Sequence, residues 1–266
     1  MQAPKTSPHL MHVTKAAHFI RNKIRVTLGG AVIQDMGSGC EGAHCKIFLP
    51  QMRQRKTDFA AQLIRGPRPT VRTYTIRYIR PEKAEIDIDF VDHGDAGPAS
   101  AWARAAHHGD FCGFVGPGSV KLRDFYADYY IVAADMSGLP VVAATLEAMP
   151  RDANGVAFFE IRHQDDAQHI NAPPGIALYW MLHGDTSQPN RQLLDAIEEW
   201  EWPKGRVQTC IAGESKAIKA IRYHLLQERR LPKRDCYISG YWKIGLIEDE
   251  HREMQRMEAT SSCRLG

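Results

Sequence analysis

The sequence predicts an α+β chain of two domains. An N-terminal antiparallel β-barrel is expected over residues 1–125 and an α/β domain with a parallel sheet over 126–246. A helical tail is expected over 247–266. Two observations predict this. Through about residue 120, short β-branched or alternating runs are separated by Gly and Pro turns with hardly a helix, the pattern of a small barrel. From Tyr126 onward, continuous apolar runs alternate with helical periodicity, the pattern of a buried parallel sheet.

Within the first part, residues 1–15 read as an irregular polar lead-in. Lys23 to Leu28 is a strand closed by Gly29-Gly30. Gly37 to Ala43 is a loop, His44 to Leu49 a strand ending at Pro50, and Gln51 to Arg65 a polar insert. Thr70 to Tyr78 is a β-branched and aromatic strand after Gly66-Pro67-Arg68-Pro69. Its alternation puts Arg72 and Tyr74 on one face and Thr73 and Thr75 on the other. A guanidinium beside an aromatic ring can hold an anion and a flat ring together, or can simply be a solvated Arg next to a half-buried Tyr. Ala84 to Val91 alternates with period two and is a further strand. The Asp92 to Ser100 loop leads into a short alanine-rich helix capped by Ser100, whose N-terminus suits a pyrophosphate or stands empty. Gly109 to Gly118 closes the barrel.

In the second part, strands are expected over Tyr129–Asp135, Gly155–Ile161, Ala177–Leu182, Arg206–Gly213 and Asp235–Trp242. Helices are expected over Val141–Met149, Asn190–Trp200 and Ser215–Glu228. Ligands of such sheets bind outside the carboxyl ends of the strands, where Asp135 to Pro140 and Ala212-Gly213-Glu214 lie. A barrel followed by an α/β domain is the plan of a two-domain redox enzyme, with a flavin in one and a nicotinamide in the other.

The bulk numbers narrow the class. The net charge of +3 is too small to argue for nucleic acid, although Arg65, Arg68, Arg72, Arg77 and Arg80 gather around one strand. Six cysteines and twelve histidines show no zinc or iron–sulfur spacing, so reduced thiols and no bound metal are expected. No run approaches the ~18 apolar residues of a membrane span. The N-terminus has no apolar core of a secretory signal, so a cytoplasmic location is expected, and no exposed apolar face is identifiable, so a monomer is expected.

Several motifs carry a more specific resemblance over about residues 15–245. They are His44-Cys45-Lys46 with Phe48-Leu49-Pro50, Arg72-Thr73-Tyr74-Thr75, Asp89 to Gly94, and Gly97-Pro98-Ala99-Ser100 with Trp102-Ala103. They continue with Gly116-Pro117-Gly118, Ala133-Ala134-Asp135 with Leu139-Pro140, Ala212 to Ser215, and Ser239 to Gly245. In their order and spacing they resemble the siderophore-interacting proteins, flavin-dependent ferric-siderophore reductases of the ferredoxin–NADP reductase superfamily.

The resemblance implies that FAD in the barrel takes electrons from NADH, NADPH or a ferredoxin and delivers them to a ferric siderophore, releasing Fe(II). It assigns Arg72 to FAD phosphate, Tyr74 to the isoalloxazine and Thr75 to its N5 edge. It places His93 and Gly97, Pro98, Ala99 and Ser100 at the pyrophosphate and adenine side. Thr73, Asp89, Val91, Ser137 and Trp242 complete the expected cofactor-binding set. Lys46 and Lys243, with Lys121 and Arg123 behind them, are the expected cations for an anionic ferric siderophore. Two departures stand out: Met136-Ser137-Gly138 replaces the usual Glu-Thr-Ala, and Lys243 stands where relatives have Arg. A tail covering the nicotinamide site would favour a ferredoxin donor. A general diaphorase and a non-enzymatic siderophore-binding protein are the alternatives.

Overall fold

The computed structural model describes residues 7–94, 97–120, 122 and 124–245. Lys121, Arg123 and the tail over 247–266 lie outside these residues. The chain divides into two compact units. The first holds the barrel together with Ala143–Ala148 and Asp165–Asn171.

The barrel has six strands: β1 (His9–Ile20), β2 (Lys23–Gly29), β3 (His44–Leu49), β4 (Thr70–Arg80), β5 (Glu85–Val91) and β6 (Phe111–Val115). They close in the order β1-β2-β5-β4-β3-β6, every pair antiparallel. Alternate residues, among them Val13, Val26, Ile47, Ile76, Ile88 and Phe114, point inward and form the core. Burial pushes the thiols of Cys45 and Cys112 well above their ordinary range, so neither is a thiolate at neutral pH.

Three expectations change here. The polar lead-in contains β1, which pairs with both β2 and β6 and completes the barrel. The polar insert contains α1 (Lys56–Arg65), which buries Phe59 against Phe48 and Val71 on the barrel's outside. The helix α2 (Pro98–Ala105) starts earlier than expected, with Gly97 as its N-cap. Proline at the first helical position already has helical φ and needs no amide partner there, so it sets the start. Ser100 is therefore not the cap. It lies one turn inside, 1% exposed.

The second unit is built on a five-stranded parallel sheet in the order β11-β10-β7-β8-β9. These are β7 (Tyr129–Ala134), β8 (Asn154–Ile161), β9 (Gly175–Leu182), β10 (Val207–Glu214) and β11 (Cys236–Trp242). Helix α3 (Leu139–Ala148) follows β7, α4 (Gln192–Glu199) follows β9 and α5 (Ser215–Tyr223) follows β10. Ile218 and Ile221 of α5 and Leu193, Leu194 and Ile197 of α4 bury one sheet face around Ile131, Val156 and Ile211. The strand order reverses between β7 and β10, which makes their carboxyl ends the topological switch point.

Candidate functional site

Among the described residues, one place in each unit bears on ligand binding.

In the barrel, the β4–β5 ladder runs only from Ile76 opposite Ile88 to Arg80 opposite Glu85. Residues 70–75 of β4 continue paired with β3, and residues 89–91 of β5 continue paired with β2. Beyond Ile76 the two strands part and leave a notch. A bulge between Ile76 and Tyr78 accompanies the parting, as expected when one strand carries an extra residue and bends. The extra residue is Arg77, only 2% exposed, whose guanidinium meets the Glu147 carboxylate with two bonds of 2.6 Å.

Arg72 and Tyr74 flank this notch on one face of β4, both half-buried. Tyr74 packs on Phe90 with ring centroids 4.3 Å apart, and Phe90 packs on Trp102 at 5.7 Å. Thr73 is exposed and Thr75 buried on the opposite face. Val91 ends β5 half-buried, and His93 is exposed in the turn beyond it.

That turn is organised by Asp92. Its carboxylate accepts from Gly94 N at 3.0 Å, from the Ser100 hydroxyl at 3.4 Å and from His18 Nε2 at 2.7 Å. Burial works against the charge, but the bonds from His18 and Gly94 hold the Asp92 carboxyl below its ordinary range. Ser100 Oγ also accepts from His93 N at 3.2 Å, so its hydroxyl builds the turn. Among the described residues, no side chain caps the α2 N-terminus. Gly97 lies under the His93 ring, where a Cβ would come within 2.8 Å of His93 Cε1. Pro98 is exposed and Ala99 buried in the first turn of α2.

These features fit FAD. An uncapped helix start offers N–H donors to a pyrophosphate. A side-chain-free residue lets a ligand approach the backbone, and an aromatic shelf beside an arginine accepts a flat ring and an anion. Asp89 stands apart from this set. Both its carboxylate oxygens accept from Arg25, at 2.7 and 2.8 Å, and its side chain is wholly buried. Its carboxylate holds β2 to β5, so only its backbone is open to a ligand.

In the second unit, a crevice lies across the carboxyl ends of all five strands, reached by Asp135, Glu160, His183, Glu214 and Trp242. Asp135 follows β7 and is 6% exposed. One of its oxygens accepts from Ser137 N (2.8 Å), Ser137 Oγ (2.6 Å) and Gly138 N (3.0 Å) at the approach to α3. The other accepts from the indole N–H of Trp242 at 2.6 Å. Gly213 makes room for this carboxylate, because a Cβ there would lie 2.9 Å from Asp135 Cγ. Glu214 folds onto the start of α5 and accepts from Lys216 N at 2.7 Å and Ala217 N at 2.9 Å. Both helix starts at the switch point thus carry a carboxylate of the chain itself. No lysine or arginine lines the crevice among the described residues. Burial pushes the Glu160 carboxyl up, and the nearby charges of Asp135 and Glu214 add to this.

Of the expected site residues, Tyr74 reaches Trp102 of α2 through Phe90, His93 lies with Gly97 and Ser100 around Asp92, and Arg72 shares the Tyr74 face of β4. Ser137 and Trp242 meet on Asp135 in the crevice. Lys46 is half-buried on β3 opposite Thr73 of β4, and Lys243 is half-buried directly after β11. Lys121 lies outside the described residues. The sequence reading does not single out Glu160. Its signal was a lone acid in the otherwise apolar run of β8.

Comparison with known proteins bears on the same two regions. Residues 12–121 match the model of the siderophore-interacting FAD-binding domain, and residues 127–245 match that of the siderophore-interacting protein. The chain is 32% identical to the ferric vibriobactin reductase of Vibrio cholerae over 261 residues, 95% of each. A siderophore-interacting protein of Aeromonas hydrophila superimposes with a TM-score of 0.83 at 28% identity, covering 96% of this chain and 98% of that one. A siderophore utilization protein of T. fusca gives a TM-score of 0.77 at 35% identity, covering 90% and 94%. An FAD-type barrel joined to a parallel sheet, with both halves matched in order along one chain, makes this protein a member of the siderophore-interacting protein family.

Proposed function

We propose that the chain is an FAD-dependent reductase that reduces the iron of ferric siderophores and so releases Fe(II) in the cytoplasm. The observation that carries this reading is the parting of β4 and β5 beside Arg72 and Tyr74, together with an α2 start that no side chain caps among the described residues. The naming of a similar chain as a ferric vibriobactin reductase supports it.

In this reading Arg72 pairs with the cofactor's phosphate and Tyr74 packs on its ring, with Thr73 and Thr75 on the neighbouring face of β4. His93 and residues 97–100 hold the pyrophosphate side, with the Asp92 network fixing that turn before any ligand arrives. Bound FAD would supply one-electron transfers to the chelate, whether its own electrons arrive as a pair from a nicotinamide or singly from a ferredoxin. The ferric chelate is the substrate: each Fe(III) takes one electron, and the siderophore holds the resulting Fe(II) far more weakly. Lys46 and Lys243 are proposed to attract an anionic chelate, each offering a point charge rather than a planar fork.

The donor follows from the crevice. A dinucleotide places its pyrophosphate on a helix start at the switch point. Here Asp135 and Glu214 already fill those positions, and Trp242 is bonded across. We infer that NADH and NADPH serve poorly at neutral pH and that a ferredoxin, which needs no entry into this crevice, is the better donor. The protein is then a monomer that meets its donor transiently.

The test is anaerobic photoreduction of the purified protein, followed by a ferric hydroxamate or a ferric catecholate with an Fe(II) trap. Rapid flavin reoxidation with trapped Fe(II) is expected. A flavin that reduces but passes nothing to either chelate would refute the reading and leave a diaphorase. A colourless protein that binds ferric siderophore would leave a binding module.

A further inference from the structure

The segment from Gln51 to Arg68 has no role in the reductase reading, and its surface is strongly basic. It carries Arg53, Arg55, Lys56, Arg65 and Arg68 against one acid, Asp58. Its net charge of +4 exceeds the +3 of the entire chain, so the remainder is close to neutral. All five cations are exposed. Asp58 neutralises only Arg55, with bonds of 2.8 and 3.1 Å. Arg53, Lys56, Arg65 and Arg68 have no ion pair among the described residues.

Among these cations stand the two most exposed large apolar side chains of the described residues, Met52 at 91% and Ile64 at 73%. Helix α1 spends its apolar inner face, Phe59 and Leu63, on the barrel, so Ile64 is left on the outer face. Met52 sits at the tip of a built turn. Gln54 N donates to Gln51 O at 3.0 Å, Gln51 N donates to Gln54 Oε1 at 2.9 Å, and Gln54 Nε2 reaches Gln62 of α1 at 2.7 Å. Gln62 in turn fastens Pro67 O at 2.8 Å, which holds the basic Arg65–Arg68 end to the same helix. Arg53 next to the tip has φ of 61°, a left-handed conformation that is unfavourable for arginine. A strained, internally bonded turn that displays a methionine to water is not explained by the packing of the barrel.

We propose that the Gln51–Arg68 segment docks this protein on an anionic phospholipid surface. Exposed cations draw the segment to lipid phosphates. Met52 and Ile64 then enter the boundary between headgroups and acyl chains, which gives a solvent-exposed apolar side chain a partner. An acidic protein would satisfy the charges but leaves Met52 and Ile64 unexplained, so the lipid surface accounts for more of the segment. Docking of this kind is peripheral and reversible. No helix among the described residues is long and apolar enough to cross a membrane.

The test is co-sedimentation of the full chain with vesicles of phosphatidylcholine, with and without about a third phosphatidylglycerol, at low and raised salt. Binding is expected only to the anionic vesicles and should weaken with salt. Arg65→Gln and Arg68→Gln should each weaken it about fivefold. Met52→Ser should weaken it further while leaving the salt dependence unchanged. Flavin content and turnover with a soluble ferric chelate should be unaffected in all three variants, which separates this proposal from the reductase reading. Failure to bind anionic vesicles, equal binding to neutral ones, or full binding by the variants would each overturn the proposal. Salt-sensitive binding to polyglutamate without vesicle binding would overturn it in favour of an acidic protein partner.

Discussion

Replacing Asp135 by Asn isolates what the crevice does to the choice of electron donor. The amide oxygen can keep the bonds from Ser137 N and Gly138 N, which lie at 2.8 and 3.0 Å in the native protein. The amide nitrogen then faces the indole N–H of Trp242, and two donors cannot bond, so the 2.6 Å contact is lost. A hydrogen bond to a charged acceptor contributes about 1.5–3 kcal/mol, equivalent to about a tenfold to hundredfold shift in how often Trp242 leaves its seat. One of the three carboxylates around the crevice is also neutralised, which lowers the repulsion of a pyrophosphate. The assay is anaerobic stopped-flow reduction of the bound flavin by NADH and by NADPH, read as the second-order rate constant. We expect a rise of about tenfold or more, with flavin content near native and a melting temperature lowered by several degrees through loss of the same bond.

The pH dependence carries the same sign. As pH falls through the raised Glu160 pKa, that carboxylate gains a proton and the crevice loses a negative charge, so dinucleotide use by the native protein should improve on the acid side. An unchanged or slower reduction in Asp135→Asn, with flavin bound and the fold intact, would show that Asp135 admits the dinucleotide rather than excluding it.

Three further outcomes follow from the barrel. Arg72→Ala should weaken FAD retention by about tenfold to hundredfold through loss of a charge-assisted phosphate bond; the flavin absorbance of the protein after gel filtration measures it. Arg25→Ala should leave the wholly buried Asp89 carboxylate unpaired, costing about 3 kcal/mol. A native-like melting temperature for that variant would show that Asp89 does not depend on Arg25. Asp87, bonded by Arg80 and Thr27 against the cost of burial, has its carboxyl held below the ordinary range. A depressed carboxyl stabilises the fold above the unfolded pKa of about 4 and loses that contribution as pH falls through the folded value. Asp87→Asn should therefore flatten the acid limb of a denaturation curve, and an identical limb in both proteins would contradict the pairing.

Much of this architecture is legible in the chain because alternation and turn residues are local signals. The strand from Thr70 and the faces assigned to Arg72 and Tyr74 follow from period two alone. The elements that escape have weak local patterns and are held by distant partners. In β1 only Met11 and Val13 are fully buried, and the strand exists because β2 and β6 lie on either side of it. Helix α1 buries only Phe59 completely, so its sequence reads as a polar insert. At the site, the resemblance assigns Asp89 to the cofactor, while the ion pair of its carboxylate with Arg25 on another strand is invisible to spacing. Ser100 is misread for a different reason: Pro98 starts the helix earlier and turns a capping hydroxyl into an inner brace for the turn.

The closure of the barrel sets a schedule for the chain's synthesis. β1 meets β6 through His9 opposite Phe114, so the first strand must wait for more than a hundred residues to be made. Until then β1 is joined to the growing structure only through β2, its neighbour in sequence, and its other edge is open. An unpaired strand edge is a template for pairing with another chain. Contacts of this sequence separation also form slowly. Until β6 is made, the edge of β1 that it covers, over His9–His12, has no strand to pair with. Mutations that weaken β6, such as substitutions at Cys112 or Phe114 inside the core, should raise aggregation during expression more than they lower the stability of the finished fold.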